Sequence, residues 1–264
     1  MSDGFVATLC TQALLIAVGH QKMLFIFSGI HGVIFLPALF CLYNIPTPER
    51  TTSITWIVMD QVRDRRFWFL ALSIMFTAFA TLPPFVFLTS FTVKTSPGIS
   101  PMLAVLPLAL VNLTAVFGRT IAAFLIRPYA PSPPDHASQE HEWKHGWRIG
   151  VEPRLAFAGT ILLAALSQLI WAFANSYSQI VVYACINGLF GVTFLSILPT
   201  LSAITFTGAK KTAAVGSLII FGAPGCFFGA YVFNTIMRRT GSWTIGLLVV
   251  GAFQVIGAVF AFCV

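Results

Sequence analysis

One basic side chain stands where a charge is costly. Residues 102–126 form an apolar run long enough to cross a bilayer, and Arg119 lies inside it. On a helix rising about 1.5 Å per residue, Arg119 sits about 12 Å from Arg127. With Arg127 at the interface, Arg119 is most of the way to the midplane of a core roughly 30 Å thick. A cation at that depth costs about 2.5–3.5 kcal/mol on insertion scales, so it should face protein or a wet cavity. The bland alternative is a structural arginine that snorkels to the inner headgroups. No other apolar run carries an Asp, Glu, Lys or Arg in its interior. Uncharged polar groups do occur there: Asn112, Gln168, Asn187, Ser196, Thr200 and Gln254. Singly, each suits an interhelical hydrogen bond. Together with Arg119 they are candidates for lining a polar path, with Arg119, Asn112, Asn187, Ser196 and Thr200 as the expected substrate-binding set.

A second constellation is His141-Glu142-Trp143-Lys144-His145, a literal H-E-x-x-H. On a helix this spacing puts two imidazoles on one face for Zn²⁺, with the glutamate as general base. A third ligand normally follows, yet no Asp or Glu occurs after Glu152. Arg148 and Val151 stand where a metzincin needs Gly and His, and prolines 133 and 134 flank the motif. A chance match in a charged loop is expected, with neither metal nor cofactor. The five cysteines lie in or beside apolar runs without close pairing, which excludes a disulfide framework or a zinc site built on them.

These residues are held by a chain of membrane-protein composition. Of 264 residues, 57% are hydrophobic and only 9% charged, and the mean hydropathy is +0.87. A soluble domain carries about 25% charged residues. The net charge of +7 does not point to nucleic acid, because the cations sit in short loops between apolar runs. Eight such runs are marked: residues 5–18, 23–43, 67–91, 102–126, 155–174, 180–206, 212–237 and 243–263. The first is short for a span. Lengths near 20 favour helices over barrel strands, so the expected fold is an all-α polytopic membrane bundle of about eight transmembrane helices.

Orientation follows from Lys and Arg. With the N-terminus inside, Arg50, Arg63, Arg65, Arg66, Arg127, Lys144, Arg148, Arg154, Lys210 and Lys211 fall on the inner side. Only Lys22, Lys94, Arg238 and Arg239 fall outside, so both termini are expected in the cytoplasm. The last six runs divide as three, a basic connection, and three, which fits a transporter half made of two three-helix repeats. Prolines recur at depth (Pro83, Pro84, Pro107, Pro199 and Pro224) and invite kinks. Gly225 and Gly229 form a small-xxx-small face, expected to serve packing inside the bundle rather than dimerisation.

Three stretches resemble successive spans of a known family: GISPMLAVLPLALVNLTAVFGRTIAAFLI (98–126), YACINGLFGVTFLSILPTLSAITF (183–206) and AAVGSLIIFGAPGCFFGA (213–230). They are similar to the monocarboxylate-transporter-like branch of the major facilitator superfamily, in its fungal form. The most specific piece runs from Asn112 through Val116-Phe117-Gly118-Arg119. The resemblance implies a major-facilitator-type bundle. Residues 1–43 would be two spans of the N-terminal half, 44–66 a central cytoplasmic linker, and 67–264 the C-terminal six-span half with its loop at 127–154. The first four spans would be lacking, as in a truncated transporter. It also implies that Arg119 binds a substrate carboxylate. The implied partners are the lipid bilayer, a small organic anion such as a monocarboxylate, protons as a candidate coupling ion, and a second chain supplying missing helices. The plasma membrane is the implied location. Two departures stand out. Ala115 occupies the place of an aspartate found in animal members, and Leu125-Ile126-Arg127 lacks the acid that often precedes the final arginine. The competing readings are a non-transporting pseudo-transporter or partner membrane protein, and a membrane zinc protease using the 141–145 loop.

Overall fold

The computed structural model describes residues 3–19, 62–126, 151–206 and 210–264, with a few positions between 22 and 37. Most of the expected span at 23–43, most of the 44–66 linker, His31, Cys41 and the 141–145 motif lie outside the described residues. Those that are described form eight α-helices: α1 (Asp3–Val18), α2 (Arg65–Thr95), α3 (Pro101–Leu125), α4 (Pro153–Ala172), α5 (Tyr177–Gly191), α6 (Phe194–Thr205), α7 (Lys210–Thr240) and α8 (Trp243–Phe262). Six stretches are long and apolar enough to cross a membrane, with α5 and α6 together making one of them, Tyr177–Thr205. The chain is an integral, multi-pass membrane protein. α1 is shorter than these six.

Helix ends carry the local signals expected of them. Asp64 caps α2, its side chain accepting from the amide of Arg66 at 2.9 Å. Ser100 caps α3 with Pro101 as its first residue, and Ser242 caps α8. α7 stops at Gly241, whose φ of 67° lets its amide turn back to the carbonyl of Met237 at 2.9 Å. The deep prolines do not end their helices. α2 runs unbroken through Pro83 and Pro84, α3 through Pro107 and α7 through Pro224. Among the described residues a span is interrupted at Val192-Thr193, between α5 and α6, and α6 then runs on through Pro199.

Packing follows a pattern that maps onto itself. Take α2–α3–α4 as one triplet and α5/α6–α7–α8 as the other. The most extensive contacts join α2 to α7, α3 to α5, α4 to α8, α2 to α8 and α4 to α5. Exchanging the triplets turns α2·α7 into α5·α3, turns α2·α8 into α5·α4, and leaves α4·α8 unchanged. The contacts therefore carry the two-fold relation expected of paired three-helix repeats. α1 stands outside this set and packs on α3.

Without a hydrophobic force between helices in lipid, close van der Waals approach must hold them. Glycine supplies it at both related seams. A side-chain carbon at Gly225 would collide with the carbonyl of Met75, and one at Gly229 with that of Phe79, both on α2. At the α3·α5 seam, Gly118 lies against the backbone of Leu189, and Gly188 against Thr114 and Val111. The small-xxx-small face of α7 is thus spent inside the bundle. Two apolar cores lie at opposite ends. One centres on Phe67, Phe157, Phe194 and Leu201, the other on Phe91, Trp171, Tyr183 and Phe233. In the second, Trp171 stacks on Tyr183 at 4.8 Å and meets Phe91 edge-on. Lys94 holds its ammonium 5.8 Å from the Trp243 ring at the same end.

Candidate functional site

Arg119 lies on α3, six residues before its end, about 9 Å along the axis from Leu125. The residue is half-buried, and its Nε is buried with no hydrogen-bond partner. No carboxylate pairs with it among the described residues; the ion pair found there joins Arg154 to Glu152 at 3.7 Å. A guanidinium is permanently charged and offers a planar fork of donors matched to a carboxylate. A desolvated donor without an acceptor is costly. An anionic oxygen would satisfy it.

Asn112 precedes Arg119 by seven residues, two helical turns, so both occupy one face of α3. That face looks toward α1: Asn112 Nδ2 donates to Thr8 Oγ1 at 3.4 Å, and to the Leu108 carbonyl at 3.1 Å. A neighbouring face of α3, about 100° round the helix from Arg119, is held at Gly118, pressed on Leu189 and Thr193.

The break between α5 and α6 lies beside this glycine. Here the amides of Thr193, Leu195 and Ser196 reach back three residues, to Phe190, Val192 and Thr193, rather than four. The Thr193 hydroxyl donates to the Leu189 carbonyl, replacing a lost backbone partner. A partly negative helix end and a partly positive one thus meet near the middle of a span, one residue from Arg119 along α3.

The other expected site residues are dispersed. Asn187 is 5% exposed and turned into the α4–α5 seam, where its Oδ1 accepts from Ser167 Oγ at 3.4 Å. Ser196 is exposed and Thr200 half-buried, one turn apart on α6. Gln168 and Gln254 are each 1% exposed. Tyr183 donates to Gln168 Oε1 at 3.4 Å, while Gln168 Nε2 and Gln254 Oε1 have no partner. The structure thus puts Arg119 and Asn112 together, leaves Ser196 and Thr200 on an accessible face, and folds Asn187, Gln168 and Gln254 into the bundle. Gly118, Gly188 and Thr193 are positioning residues; of these, the sequence offered no reason to expect a role for Thr193, beyond the crowding of small residues in 187–193.

No protein-family model and no curated protein matches the chain. Solved structures do. The E. coli fucose:proton symporter superposes with a TM-score of 0.65 at 16% identity, over 94% of this chain and 57% of the symporter. A bacterial homologue of the human lysosomal transporter Spinster, in an inward-facing and occupied conformation, gives 0.61 at 17% identity, over 98% of this chain and 66% of that one. Its unoccupied form gives 0.60 at 18% identity, with 98% and 67% covered. The helices of this chain share the fold of these transporters. The chain spans a little over half the length of the symporter.

Proposed function

We propose that these helices are the larger part of a membrane transporter of the major-facilitator type that moves a small organic anion of the monocarboxylate class. In this reading residues 67–264 form the C-terminal half, α1 belongs to the N-terminal half, and the plasma membrane is the site of action, with both termini cytoplasmic. The whole transporter includes helices beyond those of this chain, whether from the same polypeptide or another.

One observation carries the reading. Arg119 is a half-buried cation in a membrane span whose Nε has no acceptor, on the α3 face that meets α1. Such a charge is functional by default, and a substrate anion would supply the acceptor that its Nε lacks. Substrate sites in this architecture lie between the halves, near the bilayer midplane. Arg119 pairs with the carboxylate, and Asn112 lines the same wall. Ser196 and Thr200 offer hydroxyls from α6. Asn187, bonded to Ser167, supports the packing behind them. Proton coupling would neutralise the anion's charge in transit.

The test is uptake by the full-length protein in proteoliposomes. A series of short monocarboxylates should enter, faster with an inward proton gradient, and their amides should not. Correctly folded protein that moves none of them would favour a non-transporting role instead.

A further inference from the structure

We infer that a groove between α3, α4 and the α5–α6 break is a lipid site that holds one acyl chain of a bilayer phospholipid. The groove is a cavity of about 400 Å³. Small residues open it: Gly118 and Ala122 on α3, Ala156 and Gly159 on α4. Leu189 and Phe190 form its back wall. One end is closed where the amide of Val151 donates to the Leu125 carbonyl at 3.1 Å and Ile126 bridges to Val151.

Three observations select the occupant. First, the wall has no donor to spare. Its two hydroxyls are already used, Thr160 on the Phe157 carbonyl at 2.8 Å and Thr193 on the Leu189 carbonyl. Hydrocarbon suits such a wall, and a polar solute does not. Second, the mouth is framed by exposed Ile121, Leu155 and Leu163, each within a membrane span, so the groove opens to lipid rather than to water. A helix is about 10–12 Å across, and 400 Å³ would hold about one turn of it, too little to seat a partner helix. A single alkyl chain fits. Third, Arg154 precedes the lining residue Leu155 in the chain, and its half-exposed side chain is joined, among the described residues, to exposed Glu152 at 3.7 Å. An exposed pair of that kind is weak, which leaves the guanidinium able to meet a lipid phosphate. The occupant would touch Leu189, Phe190 and Thr193, and so would brace the break between α5 and α6.

Gly159 supplies the test, because a side-chain carbon there would meet nothing within 4 Å. The whole chain is reconstituted in nanodiscs containing phosphatidylglycerol with a photoactivatable diazirine in its acyl chain, and adducts are mapped by mass spectrometry. Labelling along α4 around Leu163 should exceed labelling at exposed Phe227 and Phe228 on α7. Gly159→Phe should lower the α4 labelling by about tenfold, the weight of roughly two lost methylene contacts, and leave α7 unchanged. Gly159→Leu should do the same less completely, and stands in should the larger variant fail to fold. Equal labelling of both helices, insensitivity to both variants, or a groove cross-linked to residues 127–150 of the chain itself would overturn the proposal.

Discussion

Asn112 of α3 and Thr8 of α1 meet side chain to side chain at 3.4 Å, across 104 residues of sequence. Arg119 lies two turns further along the same face of α3. The contact therefore joins the first helix to the helix face that carries Arg119.

That bond should be modest but measurable. Interhelical hydrogen bonds in membranes average about 0.6 kcal/mol. A double-mutant cycle of Asn112→Ala with Thr8→Ala, read by reversible unfolding in detergent, should give a coupling of about that size. Strict additivity of the two changes would show that the pair does not hold α1 in place.

The related seams of the bundle should respond alike to a single methyl. Gly188→Ala and Gly225→Ala each drive a carbon into backbone, at Val111 and Met75. Neither backbone can yield without moving a helix, so each variant should lose about 1–3 kcal/mol of stability. Gly159→Ala and Gly216→Ala, which meet nothing within 4 Å, should sit within about 0.5 kcal/mol of the parent. Thermal unfolding in one detergent compares all four.

Gln254 offers a prediction of sign. Its Oε1 is buried without a partner and the residue is 1% exposed. An unmet buried acceptor costs about 1–3 kcal/mol, so Gln254→Met, similar in shape, should leave the melting temperature unchanged or raise it. A marked fall would mean that the amide is satisfied in the membrane by a group from outside the described helices.

Lys94 and Trp243 make a lesser contact at the other end. The cation–π pair should be worth about 0.5–1 kcal/mol. Lys94→Met should cost that much and shift the tryptophan emission, while Lys94→Arg should keep both close to the parent.

Much of this architecture was legible in the residues. Runs near 20 apolar positions announced the spans, and their bounds agree with α2, α3, α4, α7 and α8 to within a few residues. The three-and-three division also appears in the contact pattern. The division of residues 180–206 into α5 and α6 was not foreseen. Hydropathy is blind to the phase of backbone hydrogen bonds, and the break at Val192-Thr193 falls at no proline. The inward direction of Asn187 was hidden for another reason. A membrane helix is apolar on every side, so no polar stripe marks which face meets lipid and which meets protein. The same uniformity concealed the partner of Gly225 and Gly229, since spacing reveals a smooth face and not what lies against it. Arg119 was visible because it is the exception. A lone charge in an apolar run needs no periodicity to be found.

The role proposed for Arg119 is to pair with a carboxylate. It is tested most directly by calorimetric binding of a short monocarboxylate and its isosteric amide to the full-length protein in nanodiscs. Arg119 is compared there with Arg119→Gln and Arg119→Lys. Removing one partner of a desolvated charge pair costs about 2–5 kcal/mol. The parent should therefore bind the acid and not the amide, and Arg119→Gln should weaken acid binding by at least about thirtyfold with its melting temperature held. Arg119→Lys should recover part of the loss. Equal affinity for the acid in the parent and in Arg119→Gln would contradict the account and leave the arginine a structural charge.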